Sequence, residues 1–444
     1  MKLSTYHKAR GDRVAFFKGR NKVYSDRFGD KRWDRVYISS IFTFHYNHSL
    51  HSIRLAKRHA DSNDVFVGGV ATTLLRQHYA DLGINVVQGL LDVKGKIGLG
   101  GDSDIDDLIP DYSILDEIDY EYPVIDAYIG YATRGCVNKC PFCAVPLLEP
   151  KFIDYFDLKK YVNNIEMKYG EKRNLLLLDN NVLASSRFDR IIKDILSLGF
   201  EKDATTSKGT KRYVDFNQGL DSRLIDEKKA ALLAKIAINP ARVAFDHVQL
   251  ADLYSDKIRL LAMHGVSHLS NFLLFNFKDR PSDLYERIMI NIRLNEELGT
   301  RIYSFPMKYV PLDSIDRSYI GKQWTKKQLR AVQVILNATH GVVGPHRPFV
   351  GRAFGEDLAE FETLLWMPEE YLMYREKNEK SSASEWRSQF LSLSAPDLRT
   401  LKEIIQSNRI NNSVLKLKGN PKVKKVLSHY RLMKKQSQRI IDEF

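Results

Sequence analysis

Hydrophobic and polar positions alternate along the chain with two different periods. Between residues 35 and 91, apolar runs at 35–42, 64–69 and 84–89 are separated by amphipathic stretches at 48–60 and 71–82. Strands alternating with helices predict βαβ units and a parallel sheet. Gly68 and Gly69 close the second of these strands, where a tight turn or a close backbone approach to a ligand would need them. Residues 94–125, rich in Gly and Asp, read as a linker. Beyond it the alternation becomes more regular. Strands are predicted at 127–133, 174–179, 214–217, 242–246, 268–277 and 302–309, with helices at 155–168, 188–198, 226–237, 249–264 and 282–298. Six strands joined by right-handed crossovers predict a partial (β/α) barrel, two units short of a closed one.

After residue 311 the strand signal stops. Helices are predicted at 325–339 and 357–365, an ordered Gly-, Pro- and Arg-rich loop at 341–355, a Ser-rich flexible connection at 381–394 and a solvated basic amphipathic helix at 416–439. The predicted fold class is therefore α/β: a Rossmann-like N-terminal domain (1–93), a linker (94–125), a partial (β/α)6 TIM-like barrel (126–311) and a helical C-terminal region with a basic tail (312–444). The chain's 444 residues accommodate several such units.

Composition adds three constraints. With 43% hydrophobic and 28% charged residues the chain is of ordinary globular composition, and its apolar runs are too short to cross a bilayer. The basic N-terminal residues are not followed by an apolar stretch, so no signal peptide is predicted and a cytoplasmic location is the default. Lys and Arg outnumber Asp and Glu by 68 to 55, and residues 401–444 alone hold eleven Lys/Arg against three acids. A basic tail that touches RNA is consistent with this, whereas a uniformly basic nucleic-acid-binding body is not.

The only cysteines, Cys136, Cys140 and Cys143, form a CxxxCxxC immediately after the first strand of the second domain. Three thiolates on a short loop can hold three irons of a 4Fe-4S cluster and leave the fourth open. Zinc is the competing reading. It needs a fourth protein ligand, and the nearest histidines in sequence are His78 and His247.

The motif, with Phe142 before its last Cys, resembles that of the radical S-adenosylmethionine (radical SAM) superfamily, and the resemblance covers residues 126–311. It implies a 4Fe-4S cluster on Cys136, Cys140 and Cys143, with S-adenosylmethionine chelating the open iron and Phe142 beside its adenine. Reductive cleavage would release a 5'-deoxyadenosyl radical that abstracts hydrogen from an unidentified substrate, with flavodoxin or ferredoxin as electron donor. Asp179 and Asn180, ending the second barrel strand, occupy the place where the family contacts the methionyl amino group, although the usual Gly-Gly is missing. Helix capping explains them equally well. Asn217, Gln218, Asp221 and Arg223 follow the third strand, where the family lines its pocket, and a structural ion pair between Asp221 and Arg223 is the alternative. Asp246 and Asn276 stand where ribose or methionine contacts are expected.

The N-terminal half resembles the cobalamin-binding-like domain of one branch of the superfamily. It lacks the Asp-x-His-x-x-Gly signature and a His in the matching loop, so a retained scaffold is favoured over a cobalamin site. The tRNA methylthiotransferases share the layout but carry further cluster cysteines that this chain does not have. His346, Arg347 and Arg352 read as ion-pairing residues in preference to an anion site. Two alternatives stand beside the enzyme of unknown substrate: a zinc-stabilised, non-catalytic nucleic-acid-binding protein, and a radical SAM enzyme that modifies RNA.

Overall fold

A computed structural model describes residues 1–19, 21–99, 104–124, 126–374, 382–407 and 420–432. Its residues divide into two compact units. The first comprises Met1–Ala244, Lys257–Leu269 and Val310–Tyr319, and the second Phe245–Asp256, Ser270–Tyr309 and Ile320–Phe444.

The first unit opens with helices α1 (Lys2–Ala9) and α2 (Asn21–Phe28), followed by strand β1 (Val36–Ser39), helix α3 (Tyr46–His59), strand β2 (Val65–Gly68), the short helices α4 (Val70–Leu74) and α5 (Arg76–Ala80), and strand β3 (Asn85–Val86). The three strands form a parallel sheet in the order β1-β2-β3, with Val36 opposite Val65 and Phe66 opposite Asn85. Ile53, Ala56 and Ala60 are buried at helical spacing on and just after α3, and they cover the sheet face that carries Val65 and Val67. Gly69 is needed for backbone packing: it has φ +102°, and a Cβ there would lie 2.5 Å from the Ser40 carbonyl.

The segment read as a linker contributes to the core. Ile97 and Ile105 pack with Tyr6 and Phe66, and the Tyr112 hydroxyl donates to the Ala127 carbonyl at 2.8 Å while accepting from the Ile129 N–H at 3.0 Å. Residues 100–103, in the Gly/Asp-rich stretch, lie outside the described residues.

A second parallel sheet follows in the order β4-β5-β6 (Ala127–Gly130, Asn174–Leu177, Tyr213–Phe216), with Gly130 opposite Leu177 and Leu177 opposite Phe216. Between its strands lie α6 (Val145–Leu148), α7 (Leu158–Tyr169) and α8 (Phe188–Ser197), and α9 (Glu227–Leu233) comes after β6. On α8, Phe188, Ile191, Ile192 and Ile195 are all buried, the i, i+3, i+4, i+7 stripe that pins an amphipathic helix to a sheet. Each such side chain contributes about 1.5–3 kcal/mol of burial, so an Asp at Ile192 would unseat the helix. Asp157 and Asp226 cap α7 and α9 by accepting from the N–H groups of Lys160 and Lys229. The fourth predicted strand shrinks to β7 (Ala241–Arg242), continued by a bridge between Leu220 and Val243.

Helix α10 (Ala251–Met263) has residues in both units. The second unit holds most of β8 (His268–Phe275), its sheet neighbour β9 (Arg301–Lys308), and α11 (Pro281–Leu298). Arg287 of α11 is fully buried. Its guanidinium donates to the carbonyls of Phe245, Asp246, Leu274 and Asp283 at 2.8–3.1 Å and lies 3.4 Å from the Asp279 carboxylate. Beside it the Tyr254 ring stacks on Phe245 at 4.1 Å, and its hydroxyl joins Asn271 to Asn291.

The C-terminal helices are α12 (Lys326–Ala338), α13 (Arg347–Phe354), α14 (Leu358–Leu364), α15 (Glu369–Met373) and three more at Ser382–Leu391, Ala395–Gln406 and Pro421–Leu432. Three sequence expectations change here. The 341–355 loop ends in α13, because Pro348 fits the first helical turn and Val350 and Phe354 are buried one turn apart. The flexible connection at 381–394 is largely a helix, since Ala383, Trp386 and Phe390 give its serine-rich sequence an apolar face. Helix Pro421–Leu432 is not fully solvated, for Val423, Val426 and Leu427 are buried. Residues 416–419 and 433–439 of that tail lie outside the described residues. Arg347 pairs with Glu296 through two contacts of 2.7 Å, the ion pairing expected for it.

Candidate functional site

The ends of β4, β5 and β6 carry a connected group of polar side chains around the cysteine loop. An antiparallel bridge closes that loop at its base: the Arg134 N–H donates to the Ile153 carbonyl at 3.1 Å, and the Ile153 N–H returns to Arg134 at 2.8 Å. Gly135 starts the loop with φ +75°, and a Cβ there would strike the Lys151 carbonyl. Only glycine suits this turn.

Two carboxylates fix the root of the loop. Asp179, just past β5 and fully buried, accepts from the Ala132 N–H at 3.1 Å, from the Thr133 hydroxyl at 2.7 Å and from the Thr133 N–H. Burial pushes its carboxyl up to about 6, against the opposing pull of those hydrogen bonds. Glu149, from the loop's far end, accepts from the Gly135 N–H at 2.6 Å, from Arg134 at 2.8 Å and from the Asn180 amide at 2.9 Å. Arg134 in turn reaches Asp106 at 2.7 Å.

The loop then presents its cysteines, all half-buried. The Cys136 sulfur accepts from the Asn138 N–H at 3.4 Å and from the Asn181 amide at 3.6 Å, and the Cys143 N–H closes a turn onto the Cys140 carbonyl at 3.0 Å. Asp221, beyond β6, gathers the Asn138 amide at 2.8 Å, the Asn181 amide at 3.4 Å and the Arg223 guanidinium at 2.7 and 2.8 Å. Burial raises the Asp221 carboxyl, but the hydrogen bonds from Arg223 and Asn138 outweigh it and hold the group below its ordinary range.

The predicted site residues divide accordingly. Asp179, Asn180, Asp221 and Arg223 join the cysteine loop through this network, and the expected Asp221–Arg223 ion pair is present. Asp179 faces the loop root. Phe142 is half-buried on the loop. Asn217 donates its N–H to the Leu177 carbonyl at 2.9 Å and accepts from the exposed Gln218 at 3.2 Å. Asp246 and Asn276 belong to the second unit. There the Asp246 carbonyl receives Arg287, while Asn276, buried with φ 70°, spans the Tyr309 carbonyl and the Gly321 N–H. Sequence reasoning missed Asn138, Glu149 and Asn181. Asn138 and Asn181 carry a signal, lying within the motif and two residues past Asp179, but Glu149 reaches the network only because the loop folds back.

Among the described residues no group of three or more His, Cys, Asp or Glu side chains is gathered to hold a metal ion, so the thiols would have to close on one. The donor set nonetheless fits an iron-sulfur cluster. Three soft sulfurs share one anchored loop, and two N–H groups point at the Cys136 sulfur, which suits a thiolate.

Fold and site together define an α/β protein with a cysteine loop at the carboxyl ends of a parallel sheet. No family model matches the chain, and no curated protein matches it. Among solved structures it is similar to a radical S-adenosylmethionine methyltransferase, TsrM from Kitasatospora setae, with tryptophan substrate and an S-adenosylmethionine analogue bound. The two are 12% identical with a TM-score of 0.45, and the match spans 66% of each chain, a little under two thirds.

Proposed function

We propose that this chain is a radical SAM enzyme, with a Rossmann-like N-terminal domain, a partial (β/α)6 barrel and a helical C-terminal region. The observation that carries the reading is the cysteine loop itself, anchored at the carboxyl ends of β4–β6, where parallel α/β sheets place their ligands, with N–H groups directed at the Cys136 sulfur. Cys136, Cys140 and Cys143 would hold a 4Fe-4S cluster. When bound, such a cluster supplies the electron that cleaves the sulfonium of S-adenosylmethionine reductively.

The chain's own residues do the positioning. Asp179 and Glu149 hold the two ends of the loop, Gly135 permits its entry turn, and the Cys136 sulfur is oriented by the Asn138 backbone N–H and the Asn181 side-chain amide, while Asp221 accepts from the side-chain amides of both. Electron paramagnetic resonance of anaerobically reconstituted, dithionite-reduced protein tests the reading. A 4Fe-4S signal that shifts on adding S-adenosylmethionine is expected, and stoichiometric zinc with no cluster would overturn it. Cys140→Ala should abolish 5'-deoxyadenosine formation, read by chromatography.

A further inference from the structure

Away from the cysteine network, the loop after β1 exposes an aromatic platform. Ile41 and Phe42 are 58% and 51% exposed, and the Phe42 ring stacks on Phe44 at 5.1 Å and 16°. His45 stands edge-on to both rings, at 5.6 and 4.8 Å, and the Arg317 guanidinium lies over the Phe44 ring at 4.1 Å. Partial burial, with His48 and Arg317 nearby, holds the His45 imidazole below its ordinary range, so at neutral pH it is an uncharged ring.

The platform runs directly into α3. From residue 41 to residue 60 the sequence contains no Asp or Glu, but four His and three Lys or Arg. His48, His51, Arg54 and Arg58 are exposed on the helix. Three acids come near: Asp61, just past the helix, is paired with Arg32 at 2.5 Å, Asp81 acts on Tyr46 at the helix start, and Asp316 neighbours the Arg317 that covers Phe44, its carboxylate accepting from the Ser318 N–H at 2.7 Å. Lys57 is turned to the Leu82 carbonyl at 2.5 Å. Helix α4 packs against both the turn at Thr43–His45 and α6, the helix that follows Cys143.

Small-molecule sites enclose most of their ligand. An open face of stacked rings beside an acid-free cationic helix is instead what an unpaired strand needs, with base faces on aromatics and phosphates on cations. We propose that the 41–45 loop and the exposed face of α3 bind single-stranded RNA, with bases stacking on Phe42 and phosphates meeting Arg54 and Arg58. This goes beyond the functional reading above and stands without it.

Fluorescence anisotropy of a fluorescein-labelled single-stranded oligouridylate with the reconstituted full chain tests the proposal. Binding that weakens as salt rises is expected. Phe42→Ala should weaken it roughly tenfold, in line with one lost base stack. Arg54→Glu combined with Arg58→Glu should weaken it and flatten the salt dependence, while a duplex RNA competitor displaces the probe poorly. All three side chains are exposed, so circular dichroism should show folded variants. The proposal is overturned if the wild type does not bind at low salt, if the duplex competes equally, or if the variants bind like the wild type, which would place RNA contact elsewhere. None of these outcomes alters the cluster signal, so the two readings fail separately.

Discussion

The polar networks around Arg287 and around Cys136 are built from similar groups and serve different ends. Arg287 is enclosed in the second unit, and its guanidinium is matched by four carbonyls and a carboxylate. Burial pulls the group below its ordinary range, yet no nearby partner is left for a ligand to supply. Around Cys136, in the first unit, the sulfurs are half-buried and the side-chain amide oxygen of Asn181, enclosed by protein, has no hydrogen-bond partner. Asn271, beside Arg287, keeps an enclosed side-chain oxygen without a partner too, so exposure is what separates the two: an enclosed guanidinium with every N–H matched specifies the fold, whereas half-buried sulfurs on an anchored loop can meet a ligand.

Substitutions separate the two. Arg287→Met should cost the most, roughly 3–5 kcal/mol, because it strands Asp279 and several carbonyls. Urea unfolding should show that loss, while a change near zero would mean that packing alone supports α11. Asp179→Asn should act through pH. The buried carboxyl, raised to about 6 from an ordinary 3.8, imposes its ionisation penalty fully above pH 6 and sheds it below about pH 4. Relative to the Asn variant, the wild type should therefore gain about 2–3 kcal/mol as pH falls from 7 to 4, measured by urea unfolding at each pH. Asn181→Leu should change stability least, by about 1 kcal/mol. Its signature is redox: with cluster content unchanged, losing a donor to the Cys136 sulfur should lower the midpoint potential in a titration followed by paramagnetic resonance. An unchanged potential would show that the 3.6 Å contact has no electronic consequence.

Periodicity carried much of the fold. The apolar runs that form β1 to β6 and the helical stripes of α3 and α8 are readable because burial acts on one face at a time. The cysteine motif was equally visible. The roles around it were less so: Asp179 stood out as a polar group at a strand end, but only the path of the chain shows it gripping Ala132 and Thr133. Arg287 reads in sequence as an ordinary charged helix position, since nothing local reveals that four carbonyls converge on it. The helix around Trp386 is masked by its serines, because only three buried side chains, Ala383, Trp386 and Phe390, carry its helical spacing.

The bridge between Arg134 and Ile153 has a thermodynamic consequence. It draws together the ends of a loop of about twenty residues, and closing a flexible loop of that length forfeits roughly 2–3 kcal/mol of chain entropy. The forfeit falls at folding, when the strand ends assemble and the bridge forms. Whatever the three thiols receive therefore meets a loop whose ends are already joined, and its affinity is not reduced by the cost of gathering them.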